Sequence, residues 1–307
     1  MNTKPIQSTE LHAEIAALIE ESVSLHTLPV VVLEANRIIN DPASSAQDVA
    51  NLIANDPALA ERVLRLSNSA FYGFQKRIGN ITQAIVILGF QAVKNLMITV
   101  TVIDSFQKDQ NDSTDYPAFW AHSVCTAIAA NKLASLSKCS ETEEAYISGL
   151  LHDVGKIIIC QHLPELEEKV IESQQQGYTR IEAELAHLGQ SHAEIGAQVA
   201  NAWGLPNPIC DAIRNHHNCT RGEDDPFSLA DVLQLADAVA HGFGLGNGSQ
   251  PLPSLHPELS QRMGYDSDRL GKWLEVVSVA VEQSSDFFEY IGAGKPELSP
   301  EKMGQSR

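Results

Sequence analysis

The chain has 307 residues, 43% of them hydrophobic, and a formal net charge of −18 at pH 7. This length is enough to bury a full core, while the acidic balance disfavours sequence-independent binding to nucleic acid or to an anionic membrane, since both need clustered lysine and arginine. No apolar run approaches the roughly 20 residues that a membrane-spanning helix needs.

Helical periodicity dominates the chain. In chain order, apolar side chains recur at helical spacing in residues 11–19, 49–53, 63–66, 81–88, 195–202 and 270–281. Two β-branched runs, 30–33 and 157–159, are short and lie in helical surroundings, and no alternating strand pattern of useful length occurs. We therefore predict an all-α protein.

Polar capping residues mark four of the predicted helix starts. They are Ser45 with Asp48, Asp56 before Pro57, Asn80 before Gln83, and Ser191 with Glu194. A side-chain oxygen at such a position accepts a hydrogen bond from an otherwise unpaired N–H of the first turn. The last start places His192 in the first turn of its helix, where its side chain can face a pocket beyond the helix end.

Composition along the chain predicts two helical lobes. The polar run at 107–115 separates an N-terminal lobe of residues 1–110 from a second lobe of residues 115–290, and both a hinge and a solvated inter-helix loop fit this run. A loop is predicted at 241–253, because four glycines and two prolines interrupt regular structure there. The polar tail at 294–307 is predicted to be flexible.

Seven side chains of the second lobe are candidates for a metal site. They are His122, His152, Asp153, His192, His216, His217 and Asp237. Their wide spacing excludes a compact zinc finger and fits a bundle in which each helix contributes one or two inward ligands. Imidazole and carboxylate donors favour iron, manganese, zinc or nickel, so we predict one or two divalent transition-metal ions. The two oxygens of Asp153 could bridge such a pair.

Each candidate also has a purely structural interpretation. His122 opens an apolar stretch and fits a hydrogen-bonded core histidine, while the pair at 216–217 fits a polar helix end after a helix predicted at 208–214. Asp237 interrupts an apolar helical run, where an aspartate is costly unless it is paired or metal-bound, so a ligand is favoured there. The remaining histidines are interpreted as surface or turn residues: His12, His26, His162, His187, His241 and His256.

Several segments of the chain resemble one known family. They include Leu66-Ser-Asn-Ser-Ala70, Gln83-Ala-Ile-Val-Ile-Leu-Gly89, Gly149-Leu-Leu-His-Asp-Val-Gly-Lys156 and Trp203-Gly-Leu-Pro206. On these and similar segments the chain resembles the HDOD domain, a bacterial signalling branch of the HD phosphohydrolase superfamily. The resemblance implies a multi-helix HD/HDOD-type bundle in two lobes, of which the second is HD-like.

The same resemblance implies a ligand set similar to that of the HD-GYP phosphodiesterases. One ion would be held by His122, His152, Asp153 and Asp237, and a second by Asp153, His192, His216 and His217. Asp153 and Lys156 would be the catalytic residues, with Lys156 positioning or protonating the phosphate. The chain departs from these relatives at 218–226, where their Gly-Tyr-Pro signature is missing. Metal binding is therefore expected, but hydrolysis of cyclic-di-GMP is not.

Two functions are compatible with this sequence. The first is a signal-transduction or regulatory protein whose HD-like lobe keeps a metal site and whose N-terminal lobe contacts a signalling protein through residues 68–74. The alternative is a metal-dependent phosphohydrolase or phosphodiesterase that acts on a small phosphate ester or nucleotide. The aromatic pair Phe71 and Tyr72 fits either the contact surface or packing between the lobes.

The N-terminus and the cysteines predict a cytoplasmic protein. Residues 1–7 lack the charged-then-apolar layout of a signal peptide. The five cysteines form no Cys-x-x-Cys pair, and an odd number without a secretion signal indicates reduced thiols.

Overall fold

The protein is a bundle of packed helices. The structure, a computed structural model, describes residues 30–39, 44–74, 76–106, 115–137, 139, 141–218, 227–245, 259 and 267–294, with single positions between 13 and 21. In chain order the helices are α1 Val30–Ile39, α2 Ala46–Ala54, α3 Pro57–Ser67, α4 Ile81–Leu88, α5 Phe90–Phe106, α6 Tyr116–Ser137, α7 Ala145–Leu151, α8 Val154–His162, α9 Pro164–Gln175, α10 Arg180–Leu188, α11 His192–Ala202, α12 Asn207–Asn215, α13 Leu229–Gly242, α14 Ser267–Glu282 and α15 Ser285–Tyr290. No strand occurs in these described ranges, which confirms the all-α prediction.

All four capped helix starts are present. Ser45, Asp56, Asn80 and Ser191 each accept a hydrogen bond from the first turn of α2, α3, α4 and α11 respectively. The helix predicted at 208–214 is α12, and both β-branched runs are helical, in α1 and α8. Local capping signals therefore located these helices correctly.

The buried apolar side chains form one continuous cluster with members from every helix between α2 and α15. The C-terminal helix α15 also packs against the N-terminal region. Its Phe287 ring lies 6.0 Å from that of Phe71, between centroids, and its Tyr290 hydroxyl donates a hydrogen bond of 2.9 Å to Asp104 of α5. The core thus crosses the boundary between residues 1–110 and 115–290, and the division into two lobes stays a prediction.

Two glycines flank the His152-Asp153 pair and let helix backbones touch. A Cβ on Gly149 would lie 2.6 Å from the Cα of Ala127 in α6, and a Cβ on Gly155 would overlap the carbonyl oxygen of His192 in α11. Because no side chain separates these backbones, α7 packs directly on α6 and α8 packs directly on α11. The pair is therefore held between the two helices that carry His122 and His192.

Several predicted features lie outside the described residues. These are most of the helix predicted at 11–19, the run at 107–114, positions 219–226, residues 246–253 of the loop predicted at 241–253, the tail at 295–307, and His12, His26 and His256. The loop prediction is wrong at its start, because residues 241–242 belong to α13. In the described part of the chain, no helix has the length and apolar character needed to cross a membrane.

Candidate metal centre

Five chain segments bring the seven predicted side chains together; six of the seven are buried, and His217 is partly exposed. His122 comes from α6, the pair His152-Asp153 from the junction of α7 and α8, and His192 from the first turn of α11. His216 and His217 follow the end of α12, and Asp237 comes from α13. Although Asp153 occupies the N-cap position of α8, its side chain caps no N–H group and points into this cluster instead.

One half of the cluster gathers around Asp237 and one oxygen of Asp153. The Nε2 atom of His122 lies 3.1 Å from Asp237 Oδ1 and 3.7 Å from Asp153 Oδ2. The Nε2 atom of His152 lies 3.6 Å and 3.4 Å from the same two oxygens. Ligand atoms about 2 Å from a shared ion are separated by about 3 Å or slightly more, so these four side chains have the spacing of a common coordination sphere.

The other half of the cluster gathers around the second oxygen of Asp153. Its Oδ1 atom lies 3.3 Å from His192 Nε2 and 3.8 Å from His216 Nε2, and His192 Nε2 lies 3.0 Å from His217 Nε2. One donor atom from each of these four residues falls within 4.8 Å of the others. Asp153 therefore presents one oxygen to each half, which is the geometry of a bridging carboxylate.

The outward nitrogens of four histidines are occupied by fixed partners. In three of them Nδ1 contacts a backbone carbonyl oxygen: His122 that of Leu245 at 2.9 Å, His152 that of Gly149 at 2.8 Å, and His216 that of Ile213 at 2.6 Å. In the fourth, His192, Nδ1 contacts the carboxylate oxygen Oε2 of Glu184 at 2.7 Å. An acceptor on Nδ1 requires the proton there and leaves the Nε2 lone pair free. This arrangement is typical of metal-binding histidines.

Three buried atoms in the cluster lack a hydrogen-bond partner among the described residues: Asp153 Oδ1, Asp237 Oδ1 and His216 Nε2. All three are possible ligand atoms, and their side chains are at most 5% exposed. Buried polar groups are nearly always hydrogen-bonded, so three polar atoms left unpaired close together need another partner. Together with the imidazole and carboxylate chemistry, these atoms fit a divalent transition metal.

The electrostatics favour ionised carboxylates and, at His216 and His217, neutral imidazoles, but a charged imidazole at His152. Burial lowers the pKa of His152, yet the neighbouring aspartates outweigh it and raise that pKa to about 10. Burial alone would raise the pKa of Asp153, but the nearby His152 and Lys156 hold that pKa well below its usual range. Burial lowers the pKa of His216 to about 3, and burial together with the neighbouring histidines also lowers that of His217. At neutral pH both imidazoles therefore keep their lone pairs.

Lys156 is the nearest cationic side chain. Its Nζ donates a hydrogen bond of 2.6 Å to Asp153 Oδ2, and the residue is 8% exposed. As it lies one turn after Asp153 on α8, its ammonium group is held beside the carboxylate that faces both halves.

The structural interpretations of the candidates are only partly retained. His216 ends helix α12, as its structural interpretation required, but it is fully buried and its Nε2 faces the cluster. His122 is hydrogen-bonded in the core, as its structural interpretation required, yet its Nε2 still faces the cluster. Whether these side chains act as ligands stays a prediction, while their convergence is an observation.

Sequence reasoning missed two members of the site. His241 was interpreted as a surface or turn residue, but it lies in α13 with Nδ1 3.1 Å from Asp237 Oδ1 and 3.0 Å from the Asp237 carbonyl oxygen. The signal available was its position four residues after Asp237, on the same helix face. Glu184, which contacts His192, had no comparable signal, because the loop between α10 and α11 brings the two together.

A family model and two curated relatives match parts of this chain. The model of the HDOD domain matches residues 25–219. An uncharacterised protein of Treponema pallidum (strain Nichols) is 30% identical over 235 residues, covering 75% of this chain and 44% of that protein. Ribonuclease Y of Cutibacterium acnes is 29% identical over 117 residues, 38% of this chain and 16% of that protein. The chain thus matches less than half the length of these curated relatives.

Solved structures with the same fold match nearly the whole chain. An HDOD domain protein of unknown function from Geobacter sulfurreducens is 27% identical with a TM-score of 0.70, covering 89% of this chain and 97% of that one. A protein named "Putative phosphohydrolase" from Shewanella amazonensis SB2B is 25% identical with a TM-score of 0.72, covering 90% and 98%. With its family model matched across most of the helical bundle, this chain belongs to the HDOD domain family.

Proposed function

We propose that this chain is an HDOD-type signal-transduction protein whose HD-like region holds two divalent transition-metal ions. The main support for this metal centre is the orientation of the Asp153 carboxylate. One of its oxygens faces His122 and His152, and the other faces His192 and His216. His217 and Asp237 complete the two halves. Iron, manganese, zinc and nickel all fit this donor set.

Contacts between histidine nitrogens support metal ions over a purely structural polar network. His122 Nε2 lies 3.1 Å from His152 Nε2, and His192 Nε2 lies 3.0 Å from His217 Nε2. In His122, His152 and His192, a backbone or carboxylate acceptor already requires a proton on Nδ1. Two facing nitrogens with lone pairs repel unless a cation or a proton lies between them. Metal ions would satisfy both pairs without leaving an additional buried proton.

The signalling role rests on family membership and on a surface in the N-terminal region. In the predicted contact segment 68–74, Phe71 is turned towards Phe287, with ring centroids 6.0 Å apart, whereas Phe74 is 52% exposed. Asn68 fixes the segment through hydrogen bonds of 2.8 Å and 3.0 Å with the backbone of Ile78. We propose that the exposed end at Phe74, rather than Phe71, contacts a protein partner.

A metal-dependent phosphohydrolase is the second candidate function. The position of Lys156 beside Asp153 favours it. When bound, divalent ions at such a centre would activate water and stabilise charge on phosphate oxygens. Lys156, with Asp153 Oδ2 only 2.6 Å away, is placed to bind a phosphate oxygen or to protonate a leaving group. The buried aspartates and histidines would orient the substrate in a site from which bulk water is largely excluded.

The experiment that tests both candidates is metal analysis of the purified full chain, followed by assays with phosphomonoesters and cyclic dinucleotides. We expect two ions per chain and negligible turnover of cyclic-di-GMP, because the Gly-Tyr-Pro signature is missing. Lys156→Ala should be compared with Lys169→Ala, which removes an exposed lysine of α9. If Lys156→Ala loses metal-dependent hydrolysis and Lys169→Ala keeps it, the phosphohydrolase function would replace the signalling function. If the purified protein contains no metal, the metal centre that both candidate functions assume would be contradicted.

A further inference from the structure

Glu184 is a fully buried carboxylate with hydrogen bonds on both of its oxygens. Its Oε2 accepts one hydrogen bond of 2.7 Å from Nδ1 of His192 and another of 2.8 Å from the backbone N–H of the same residue. Its Oε1 accepts a hydrogen bond of 2.6 Å from Nε of Arg180. The side chain of Glu184 has no exposed surface, so all of its interactions are with the protein.

Arg180 is itself held by a second carboxylate. Its two terminal nitrogens donate hydrogen bonds of 2.9 Å and 2.8 Å to the two oxygens of Glu167 in α9. The resulting series of Glu167, Arg180, Glu184 and His192 connects α9, α10 and α11. Because the Arg180 cation lies between the carboxylates of Glu167 and Glu184, these three side chains together have one net negative charge. The Glu184 carboxylate is the one that contacts the His192 imidazole.

His192 differs in this respect from three other histidines of the proposed ligand set, His122, His152 and His216. Nδ1 of His122, His152 and His216 each meets a neutral backbone carbonyl, whereas Nδ1 of His192 meets a charged side chain. A carboxylate partner fixes the tautomer and ring orientation more firmly and makes the opposite nitrogen a stronger donor. The nitrogen that becomes the stronger metal donor is His192 Nε2, which lies 3.3 Å from Asp153 Oδ1.

We propose that Glu184 is a positioning residue that sets the affinity of one ion position, the one formed by Asp153, His192, His216 and His217. This inference rests on the two-ion centre proposed above. Arg180, whose two terminal nitrogens are both held by Glu167, fixes the Glu184 carboxylate in line with His192. The other ion position, around His122 and Asp237, shares only the Asp153 ligand with the position that contains His192.

A purely structural role for Glu184 makes a different prediction. Because Glu184 also accepts the backbone N–H of His192, it contributes to the start of α11 in the manner of a cap. Were this its only role, removing its charge would lower the stability of the fold and weaken both ions equally. The measurement that separates the two roles is therefore the difference between the two binding steps.

The test is titration of the metal-free full chain with Mn²⁺, followed by calorimetry and by the electron paramagnetic resonance signal of the free ion. In Glu184→Gln, whose side chain keeps the same size and an acceptor oxygen, we expect one step to weaken about 10- to 100-fold. The other step should stay within about twofold of the wild-type value. Asp231→Asn is the matched control, because Asp231 is also 0% exposed and instead caps α13 with Ser228. It should leave both steps unchanged.

Two results would overturn the positioning role: both steps unchanged in Glu184→Gln, or both weakened to the same extent. If Glu184→Gln does not fold, Glu167→Gln carries the test, because it loosens Arg180 while leaving the contact between Glu184 and His192. It should weaken the same single step to a smaller degree, and no selective effect would again count against the role. Wild-type protein that binds fewer than two Mn²⁺ ions would instead contradict the two-ion centre itself.

Discussion

The N-terminal region, residues 46–106, and the HD-like region, residues 116–242, bury polar groups in different ways. In the first, the buried hydroxyls of Ser67 and Thr99 are bonded to the helix that carries them, Ser67 to the Val63 carbonyl at 2.7 Å and Thr99 to that of Asn95 at 2.8 Å. In the second, ionisable side chains from different helices meet at the Asp153 cluster. Buried ionisable groups are costly unless they are paired or bind a cation, so this difference supports the metal centre proposed for the HD-like region.

The largest expected contrast comes from the same substitution made in each region. Asp153→Ala should abolish binding of both ions, and with them a stabilisation of about 4 kcal/mol per ion at a thousandfold excess over Kd. Asp56→Ala removes a cap that accepts two hydrogen bonds of 3.0 Å in α3, which should cost about 1 kcal/mol. Thermal melting with added metal and with chelator measures both effects.

The metal dependence is the decisive part of this prediction. Wild type and Asp56→Ala should gain the same increase in melting temperature on addition of metal, while Asp153→Ala gains none. Equal increases in wild type and Asp153→Ala would rule out a bridging role for this carboxylate.

A second contrast concerns glycines. Gly155→Ala would place a methyl group against the His192 carbonyl, forcing α8 and α11 apart. It should cost about 1–3 kcal/mol or more and weaken metal binding through His192. Gly73→Ala meets no atom within 4 Å, but its φ of +67° should cost about 1–2 kcal/mol without changing metal affinity. Denaturant unfolding and Mn²⁺ titration of both variants test this, and unchanged metal binding in Gly155→Ala would contradict it.

A third prediction tests whether the N-terminal region is independent of the metal. Asn68 donates to the Leu64 carbonyl at 2.8 Å and exchanges hydrogen bonds with the backbone of Ile78. Asn68→Ala should destabilise the protein by about 1–3 kcal/mol, because the Ile78 groups lose their partner. The loss should be the same with metal and with chelator. A destabilisation that metal reverses would show that the two regions are coupled.

Local signals in the sequence predicted many of the helix starts, whereas contacts between residues far apart in the chain were harder to predict. Caps such as Ser191 act within four residues of the chain, so they could be read directly. The convergence of His122 and Asp237 followed from family resemblance and from the cost of burying an aspartate. Glu184 could not be found in this way, because its contact with His192 depends on the turn between two helices. His241 was missed although its spacing from Asp237 was visible.

The smallest expected effect on stability concerns the proposed partner surface. Phe74 is 52% exposed, so Phe74→Ala should change the free energy of unfolding by no more than about 0.5 kcal/mol. Phe71 packs on Phe287 and lies under Lys132, whose Nζ is 5.2 Å from the ring centroid, so Phe71→Ala should cost distinctly more. Denaturant unfolding of the two variants measures the difference. If Phe74→Ala proved as destabilising as Phe71→Ala, Phe74 would belong to the packed core and would not be available to a partner.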